Sequence, residues 1–468
     1  MERCHRFGSL MLVPLVLAVA FFMEQLDATI ITTSLPAMAQ ALDTSVLRLN
    51  LAITSYVLSL AVFIPLSGWA ADRLGARRVF IGALLGFTAA SAACGLATSL
   101  PALVCLRVVQ GAAGAMMSPV GRLILLEIFP KERLASAMSH MTVPVLIGPA
   151  LGPLLGGFLT SYASWRWIFY INVPIGLAGA ACAFRFLPEI PLGPRRRLDG
   201  RGFVLSATGI ALLQIVVETL EWPQIGWMAD AAILAMGLLF MALYWRHYRR
   251  TVLPVLDLAL FRLRAFRVGV LAGSLSRIGL NAAPFLLPLM LQLAFSYTAM
   301  QSGLVTFLAS IGAILTKPVT SRMLRSFGFD RLLLANALLG ALAIAGFALF
   351  RPGMPLTITV GYVLVFGMIR SVQFSSSNAL TFSEVPRVQF SACVSLAGVA
   401  QQLSMSFGVA LSATLLGRMA VGGIPQLGGF HMAFLLMALF PLVSMLGFAG
   451  LGAEDGTAVS HHQRQVTS

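Results

Sequence analysis

Two carboxylates lie inside the first apolar run of the chain, in the stretch FFMEQLDATIITTSLP between Phe21 and Pro36. Glu24 and Asp27 are three residues apart, so a helix places them about 60° apart around its axis and one turn apart along it. Two ionised carboxylates at this spacing repel each other in a low dielectric, so at least one should hold a proton near neutral pH. Such a group could take up a proton on one side of a barrier and release it on the other.

A cation lies in the fourth apolar run, where it needs a partner. Arg107 shares one helix face with Gln110, Gly114 and Ser118. An unpaired arginine in the middle of a bilayer costs roughly 2.5 to 3.5 kcal/mol on insertion scales. We therefore expect Arg107 to face the protein interior and to have a partner there, for which a first-run carboxylate is a candidate.

Polar residues also interrupt the ninth and twelfth runs, where they form stripes at helical spacing. The stripes are interpreted either as the lining of a cavity or as hydrogen bonds between helices, and the sequence leaves both open. Lys317 and Arg122 lie nearer the ends of their runs, where long side chains reach toward water. The candidate cavity residues are Gln110, Arg277, Asn281, Gln292, Arg370 and Gln373.

These residues are expected to lie on membrane-spanning helices. Of 468 residues, 58% are hydrophobic and only 10% are charged, and the mean hydropathy is +0.88. This composition excludes a soluble globular protein. Apolar runs of about 20 residues recur along the chain, each long enough to cross a hydrocarbon core of roughly 30 Å as a helix. We count about fourteen such runs, so the sequence predicts an all-α polytopic membrane protein.

The net charge of +15 is distributed in a way that indicates topology. Assigning Lys and Arg to alternate sides gives about 22 on the side of the N-terminus, including Arg195 to Arg197, and about four on the other side. Both termini are therefore expected in the cytoplasm, and the charge does not indicate a nucleic-acid partner. The N-terminal apolar run continues past the length of a signal peptide and is interpreted as an uncleaved first span.

The sequence contains no pattern that indicates an enzyme or a metal site. The five cysteines are scattered without metal-ligand spacing, and we expect no metal and no cofactor. No nucleophile constellation or phosphate-binding Gly-x-x-x-x-Gly-Lys loop occurs, so the sequence indicates neither an enzyme with catalytic residues nor an ATP-driven motor. The expected partners are a lipid bilayer, protons and a small-molecule substrate, and the expected oligomeric state is a monomer.

Two short segments are repeated at similar offsets. DRLGARR is echoed by RSFGFDR, with Gly75 matching Gly328 at an offset of 253, and EIFPKERLASAMS by EVPRVQFSACVS, with Ser139 matching Ser395 at an offset of 256. The shared offset predicts two six-helix halves related by duplication, with an inserted helix pair between them, in a 6+2+6 arrangement. The predicted parts are an N-terminal bundle at 1–188, linkers and two inserted helices at 189–262, a C-terminal bundle at 263–452 and a cytoplasmic tail at 453–468.

Several motifs in order resemble the major facilitator superfamily, and among its members the fourteen-helix drug:proton antiporters. The loop GWAADRLGARR is similar to the signature loop of the superfamily, RVVQGAAGA to its Arg-x-x-Gln-Gly pattern, and GPALGPLLGG to its antiporter signature. LDATIITTSLP and WRWIFYINVPIG are similar to first-span and sixth-span motifs of the drug:proton antiporters. Glu24 departs from that family, in which an amide is frequent at this position.

This resemblance implies a major facilitator fold, export coupled to protons, and a bacterial inner membrane location. It implies that Asp27 and Arg107 act in proton transfer, while a purely structural pair remains the alternative for Arg107. Glu24 is a further candidate for proton coupling, and it could carry a second proton, bind a cationic substrate or only tune the pKa of Asp27. Gly75 is expected to permit a tight turn, and glycines every four residues in the fifth run let a neighbouring helix approach closely, at a moving interface or a static seam. The residues implied in conformational change are Gly68, Asp72, Arg73, Gly75, Arg77, Arg78, Gly148, Pro149, Gly152, Pro153, Gly156 and Gly157.

Three functions remain open from the sequence. The first is a proton-driven antiporter that exports amphipathic compounds of the multidrug type by alternating access. The second is an exporter of one endogenous metabolite, lipid or anionic compound, favoured by the two midmembrane cations Arg277 and Arg370. The third is a membrane receptor or scaffold that transports nothing, which the midmembrane charges and glycine faces disfavour.

Overall fold

The chain folds into helices and short connections in a computed structural model. The structure describes residues 2–129, 131–190, 198–220, 226–252, 254–386, 389–420 and 425–452, and the side chains at 2–11, 131–146 and 391 are not described. The predicted tail at 453–468 and the arginines at 195–197 therefore lie outside the described residues, as do Pro130 and the side chain of Ser139 in one of the two echoes.

The helices carry the apolar runs of the sequence, because a helix satisfies its own backbone hydrogen bonds without water. Their bounds are α1 Glu2–Ile30, α2 Leu35–Ala41, α3 Asn50–Phe63, α4 Leu66–Leu74, α5 Ala76–Gly95, α6 Leu100–Ile128, α7 Lys131–Tyr162, α8 Trp167–Tyr170, α9 Asn172–Phe186, α10 Gly200–Thr219, α11 Trp227–Tyr248, α12 Arg264–Leu280, α13 Ala283–Leu289, α14 Ala299–Ala345, α15 Leu356–Ser383, α16 Phe390–Arg418 and α17 Leu427–Phe448.

The predicted all-helical, multi-pass class is confirmed, but the predicted count is not. Among the described residues, eleven helices are long and apolar enough to cross a membrane, or up to twelve if the pair α3 and α4 is one span. These two helices meet at an angle of 58°. Pro65 lies between them, and its missing N–H and its ring explain the break. Fourteen spans therefore stay a prediction.

Two glycines mark corresponding breaks in the chain. Gly75 separates α4 from α5 with φ 91°, and Gly328 interrupts α14 with φ 75° and ψ 172°. A residue with a Cβ is disfavoured at these positive φ values, whereas glycine adopts them readily. The turn expected at Gly75 is therefore confirmed, and the 47-residue α14 is two helical segments that meet at Gly328.

The helices that matter for the site pack in a few pairs. α1 lies along α7, α6 packs between α3 and α5, and α14 contacts α7, α15 and α17. α3 also packs against α16, and α10 packs against its neighbour α11. The largest fully buried side chains include one cation, Arg107, among aromatic residues such as Tyr56, Phe87 and Phe169. The site described below is built around that cation.

Candidate functional site

The first buried polar cluster is centred on Asp27 of α1. Its Oδ2 lies 2.5 Å from Nη1 of Arg107 on α6, and its Oδ1 accepts hydrogen bonds from Gln110 Nε2 at 2.9 Å and Asn172 Nδ2 at 3.1 Å. The side chains of Asp27 and Arg107 are completely buried. Three helices therefore converge on one carboxylate, because α1, α6 and α9 each contribute a polar residue to it.

Arg107 is held on several sides. Its Nε donates to the carbonyl of Ala52 at 2.9 Å and its Nη1 donates to Gln110 Oε1 at 2.8 Å. The guanidinium lies 4.1 Å from the ring centroid of Tyr56, within the range of a cation–π interaction. The expectation that Arg107 faces the interior and finds a carboxylate partner is thus confirmed. Removal of one partner of such a desolvated pair strongly destabilises the fold, because the other charge stays buried and uncompensated.

Asn172 is a member of this cluster that the sequence reasoning did not single out. Its Nδ2 also lies 3.0 Å from Ser91 Oγ, which donates to the carbonyl of Phe169 at 2.9 Å. Asn172 begins α9 inside the motif WRWIFYINVPIG, and an amide within this largely apolar motif is the signal that could have identified it. This network fixes the amide, and the amide in turn orients the Asp27 carboxylate.

Glu24 lies outside the Asp27 cluster. Its Oε2 accepts a hydrogen bond from the hydroxyl of Ser118, and its side chain is buried, with 7% of the residue exposed. Ser118 is three helical turns along α6 from Arg107. The guanidinium of Arg122, one turn further, lies 5.8 Å from the ring centroid of Phe21. The two acids of the opening stretch therefore have different partners.

A second polar cluster surrounds the ring of Phe374 on α15. The guanidinium carbons of Arg277 and Arg370 lie 4.6 Å and 5.2 Å from its centroid. Arg277 Nη2 donates to Asn378 Oδ1 at 2.8 Å, and Arg370 Nη2 donates to Asn281 Oδ1 at 3.2 Å. Among the described side chains, neither arginine has a carboxylate within 4.0 Å. Two cations thus lie near one aromatic ring with only neutral hydrogen-bond partners.

A small cavity adjoins this cluster. Arg277, Asn378 and Gln401 contribute polar atoms to its wall. Gln401 Nε2 also donates to Asn378 Oδ1 at 3.1 Å, so the amide that holds Arg277 is itself held from α16.

The remaining candidate cavity residues do not join this cluster. Gln292 Nε2 donates to the carbonyl of Thr33 at 3.1 Å, which links the end of the α13 segment to the end of α1. Gln373 accepts from Asn336 Nδ2 on α14 at 2.8 Å, and Gln110 belongs to the Asp27 cluster. The six predicted residues are therefore divided among four places, because polar residues on one helix face different neighbours.

The glycines of α7 contact α1. A Cβ at Gly148, Gly152 or Gly156 would lie against atoms of α1 or of the short helical turn that follows it. The close approach expected for these glycines is therefore confirmed, and its partner is the first helix. Gly157 is the exception, since a Cβ there would overlap the carbonyl of Ala299 at the start of α14.

Pro149 and Pro153 of α7 contact α14 through their carbonyl groups. The carbonyl of Pro149 accepts a hydrogen bond from Ser310 at 3.2 Å, and a Cβ at Gly303 would overlap the carbonyl of Pro153. Ser161 near the end of α7 accepts from the backbone N–H of Met300 at 3.1 Å. Pro149, Pro153 and Gly157 therefore line a tight seam between α7 and α14.

The signature loop between α4 and α5 makes fewer charge contacts than its composition suggests. Arg77 lies 3.7 Å from Glu189 and donates to the carbonyl of Phe184. Arg73 stacks over Trp69, with 5.6 Å to the ring centroid. Among the described side chains, Asp72 forms no ion pair within 4.0 Å. Asp72 is partly buried, whereas Gly68 and Arg78 are exposed.

Comparison with known proteins identifies the family. The family model of the Major Facilitator Superfamily matches residues 17–409. This chain belongs to the major facilitator superfamily. The superfamily is one of transporters, so the expectation of a transporter and not an enzyme is confirmed. The model match spans most of the chain, including both polar clusters.

Relatives and solved structures agree with this assignment. The chain is 38% identical over 454 residues to a Serratia proteamaculans (strain 568) protein named "Putative multidrug resistance protein MdtD", covering 94% of each chain. It is also 38% identical to a protein of the same name from Pectobacterium atrosepticum, covering 92% of each. The fold of this major facilitator is similar to the crystal structure of a D-xylose-proton symporter, with a TM-score of 0.70, 15% identity, and coverage of 97% of this chain and 99% of that one.

Proposed function

We propose that this major facilitator is a proton-coupled antiporter that exports amphipathic small molecules by alternating access. The single observation that carries the proposal is the Asp27 cluster. A completely buried carboxylate receives one cation and two amides from two other helices. The names of the relatives, which refer to multidrug resistance, support export as the direction of transport.

The geometry suggests how protonation changes the packing. When Asp27 is ionised, its carboxylate holds Arg107, Gln110 and Asn172 and so ties α1 to α6 and α9. A proton on Asp27 removes the charge that Arg107 faces, which weakens a desolvated ion pair. Protonation and substrate binding then favour different states of the Asp27 cluster, so the binding free energy of each depends on the other. Binding of a proton therefore promotes release of substrate, and binding of substrate promotes release of the proton.

We propose that the chain has fourteen spans in the 6+2+6 arrangement, with both termini in the cytoplasm of a bacterium and the spans in its inner membrane. Two features support the count beyond the eleven or twelve apolar helices. α14 consists of two segments that meet at Gly328, and the 32-residue α7 is long enough to cross about 30 Å of hydrocarbon. The matching positive φ at Gly75 and Gly328 supports duplication of a six-helix unit.

In this arrangement the α7–α14 seam joins the two halves at the extracellular end. Pro149, Pro153 and Gly157 contact α14 there, and the hydrogen bond from Gln292 to Thr33 adds a second link at the same end. The structure would then represent a state closed to the outside. Opening to the outside requires these contacts to separate.

The proposal is tested with purified protein in liposomes that carry an imposed pH gradient. Ethidium is the amphipathic probe, and Asp27→Asn should abolish its proton-driven movement while binding in detergent persists. Glu24→Gln is the matched control, since Glu24 contacts Ser118 instead of the Asp27 cluster, and we expect it to retain coupling. Undiminished proton-driven transport by Asp27→Asn would contradict the proposal.

A second candidate concerns the charge of the substrate. Arg277 and Arg370 share the Phe374 ring with neutral partners only, among the described side chains, and two such cations favour an anionic compound over a cationic one. A panel of amphipathic anions and cations in the same liposomes separates the candidates. Loss of anion transport in Arg277→Gln, with cation transport unchanged, would favour this second candidate. Loss of cation transport, with anion transport unchanged, would exclude it.

A further inference from the structure

A third buried carboxylate lies in the last turn of α10, away from both acids of α1. Glu218 is 8% exposed, and its Oε2 accepts from Asn50 Nδ2 of α3 at 3.0 Å. Its Oε1 accepts from Gln214 Nε2 at 3.2 Å. Asn50 and Gln214 are themselves no more than 2% exposed. The carboxyl group therefore occupies an enclosed polar site between α10 and α3.

The same turn of α10 is attached to α16 through its backbone. The carbonyl of Val217 accepts from the Thr414 hydroxyl at 3.1 Å, and the carbonyl of Leu220 accepts from Arg418 Nη2 at 3.1 Å. α16 meets α3 directly as well, since Ser406 donates to the carbonyl of Thr54 at 3.4 Å. One helical turn thus joins α3 through a carboxyl side chain and α16 through carbonyl groups. We call this turn, residues 217–220, the clasp.

The charged groups around the clasp do not neutralise Glu218. α10 packs against α3, α11 and α16. Among the described residues, the charged ones at this end of those helices are Arg48 just before α3, Asp230 in the first turn of α11 and Arg418 in the last turn of α16. Among the described side chains, Glu218 has no cation within 4.0 Å. The other charges of α10 and α11 lie at the far ends of those helices.

An ionised carboxylate that is buried with neutral partners is unfavourable by several kcal/mol, whereas the neutral acid avoids most of this penalty. Two amide partners also suit a carboxylic acid, since an amide oxygen can accept its proton. The site therefore fits a bound proton while it remains enclosed. If α3 and α16 separate, water reaches the carboxyl group and the ionised form regains its hydration.

We propose that Glu218 is a second proton-binding site, formed only while α3 and α16 are held together by the clasp. Closing this end of the molecule takes one proton from the water on this side onto the carboxylate, and opening returns it. A low pH in the water at the clasp end of the protein therefore favours the closed state, and a high pH there favours the open one. The inference rests on the alternating access proposed above, and it gives the inserted helix α10 a role in that motion.

The test measures the distance across this end of the molecule as a function of pH. Spin labels replace Tyr162 at the end of α7 and Leu349 after α14, which are 72% and 70% exposed. The five native cysteines are replaced by alanine, and Asp27→Asn with Glu24→Gln removes the two acids of α1. Pulsed electron resonance in liposomes then reports the fraction of molecules with a long label-to-label distance.

In this parent, the long-distance fraction should rise several-fold from about pH 5.5 to about pH 8.5. Glu218→Gln, a neutral side chain of the same shape, should keep the short distance at both values. Glu218→Asp should restore pH dependence, and Asp230→Asn on the adjacent inserted helix should behave as the parent does. The last two variants separate titration of Glu218 from a general loss of charge.

A pH dependence of the long-distance fraction that persists unchanged in Glu218→Gln would overturn the proposal. A parent that shows no pH dependence would overturn it too, so the test holds even should Glu218→Gln fail to fold. The measurement is independent of the test of Asp27, because Asp27 is already an amide in every variant. Failure of the clasp and failure of proton-coupled export are therefore distinguishable.

Discussion

Asp27 Oδ2 and Arg107 Nη1 lie 2.5 Å apart, and neither side chain has any exposed surface. Arg107 also binds the carbonyl of Ala52 and faces the ring of Tyr56, so its position is fixed from α3 as well as from α1. Gln110 bridges the pair, since its Oε1 accepts from Arg107 while its Nε2 donates to Asp27. The pair is thus the centre of a network that joins α1, α3, α6 and α9.

Arg107→Ala should destabilise the protein strongly. Removing one member of a buried ion pair leaves the other charge uncompensated, which costs about 3 to 5 kcal/mol. Thermal unfolding in detergent should show a marked fall in Tm for Arg107→Ala and a smaller fall for the double variant Asp27→Asn/Arg107→Ala. A double variant less stable than Arg107→Ala would contradict a charge-pair origin.

Asn172→Ala should weaken the orientation of Asp27. The substitution removes the bond to Asp27 Oδ1 and the contact with Ser91, and a lost buried partner costs about 1 to 3 kcal/mol. We expect a lower rate of proton-driven ethidium export with little change in ethidium binding. Ser91→Ala is the control, since it removes a hydrogen-bond partner of Asn172 but keeps the bond from Asn172 to Asp27. Equal effects of both variants on coupling would argue against a specific role for the amide.

Gly75→Ala and Gly328→Ala should each lower stability by about 1 kcal/mol, because alanine is disfavoured at positive φ. Gly68→Ala is a matched control in the same loop region, since it lies in α4 and a Cβ there meets nothing within 4 Å. Unfolding by heat in detergent measures all three. A Gly68→Ala variant as unstable as the other two would show that backbone conformation is not the cause.

Gly157→Ala should loosen the seam between α7 and α14, because a Cβ there would overlap the carbonyl of Ala299. With spin labels at positions 162 and 349 in the cysteine-free protein, we expect a larger long-distance fraction than in the unsubstituted protein. Gly82→Ala on α5 is the control, because its Cβ would meet nothing within 4 Å. An unchanged distance distribution in Gly157→Ala would refute the proposed closing role of this contact.

The sequence was sufficient to identify the two charged residues that meet in the first polar cluster. Asp27 and Arg107 were identifiable because charged residues inside apolar runs must find partners, and both contribute to motifs. The turn at Gly75 followed from the same kind of local reasoning, since glycine tolerates positive φ. Local composition and short spacing were sufficient for these residues.

Contacts between distant helices could not be predicted in the same way. Spacing on one helix placed Glu24 and Asp27 close enough to repel each other, yet their partners are Ser118 and Arg107. Spacing also grouped Arg370 with Gln373, which bond to different helices. Helix rotation and the choice of packing partner decide these contacts, and neither is encoded within one helix. Glu218 was passed over for the same reason, since its partner Asn50 lies 168 positions away.

The most direct test of proton coupling at Asp27 is to count protons when ligand binds. Purified protein in weakly buffered detergent is mixed with ethidium, and a pH-sensitive dye records proton release. We predict release by the unsubstituted protein and by Glu24→Gln, and no release by Asp27→Asn despite retained ethidium binding. Equal proton release by Asp27→Asn and the unsubstituted protein would contradict the account.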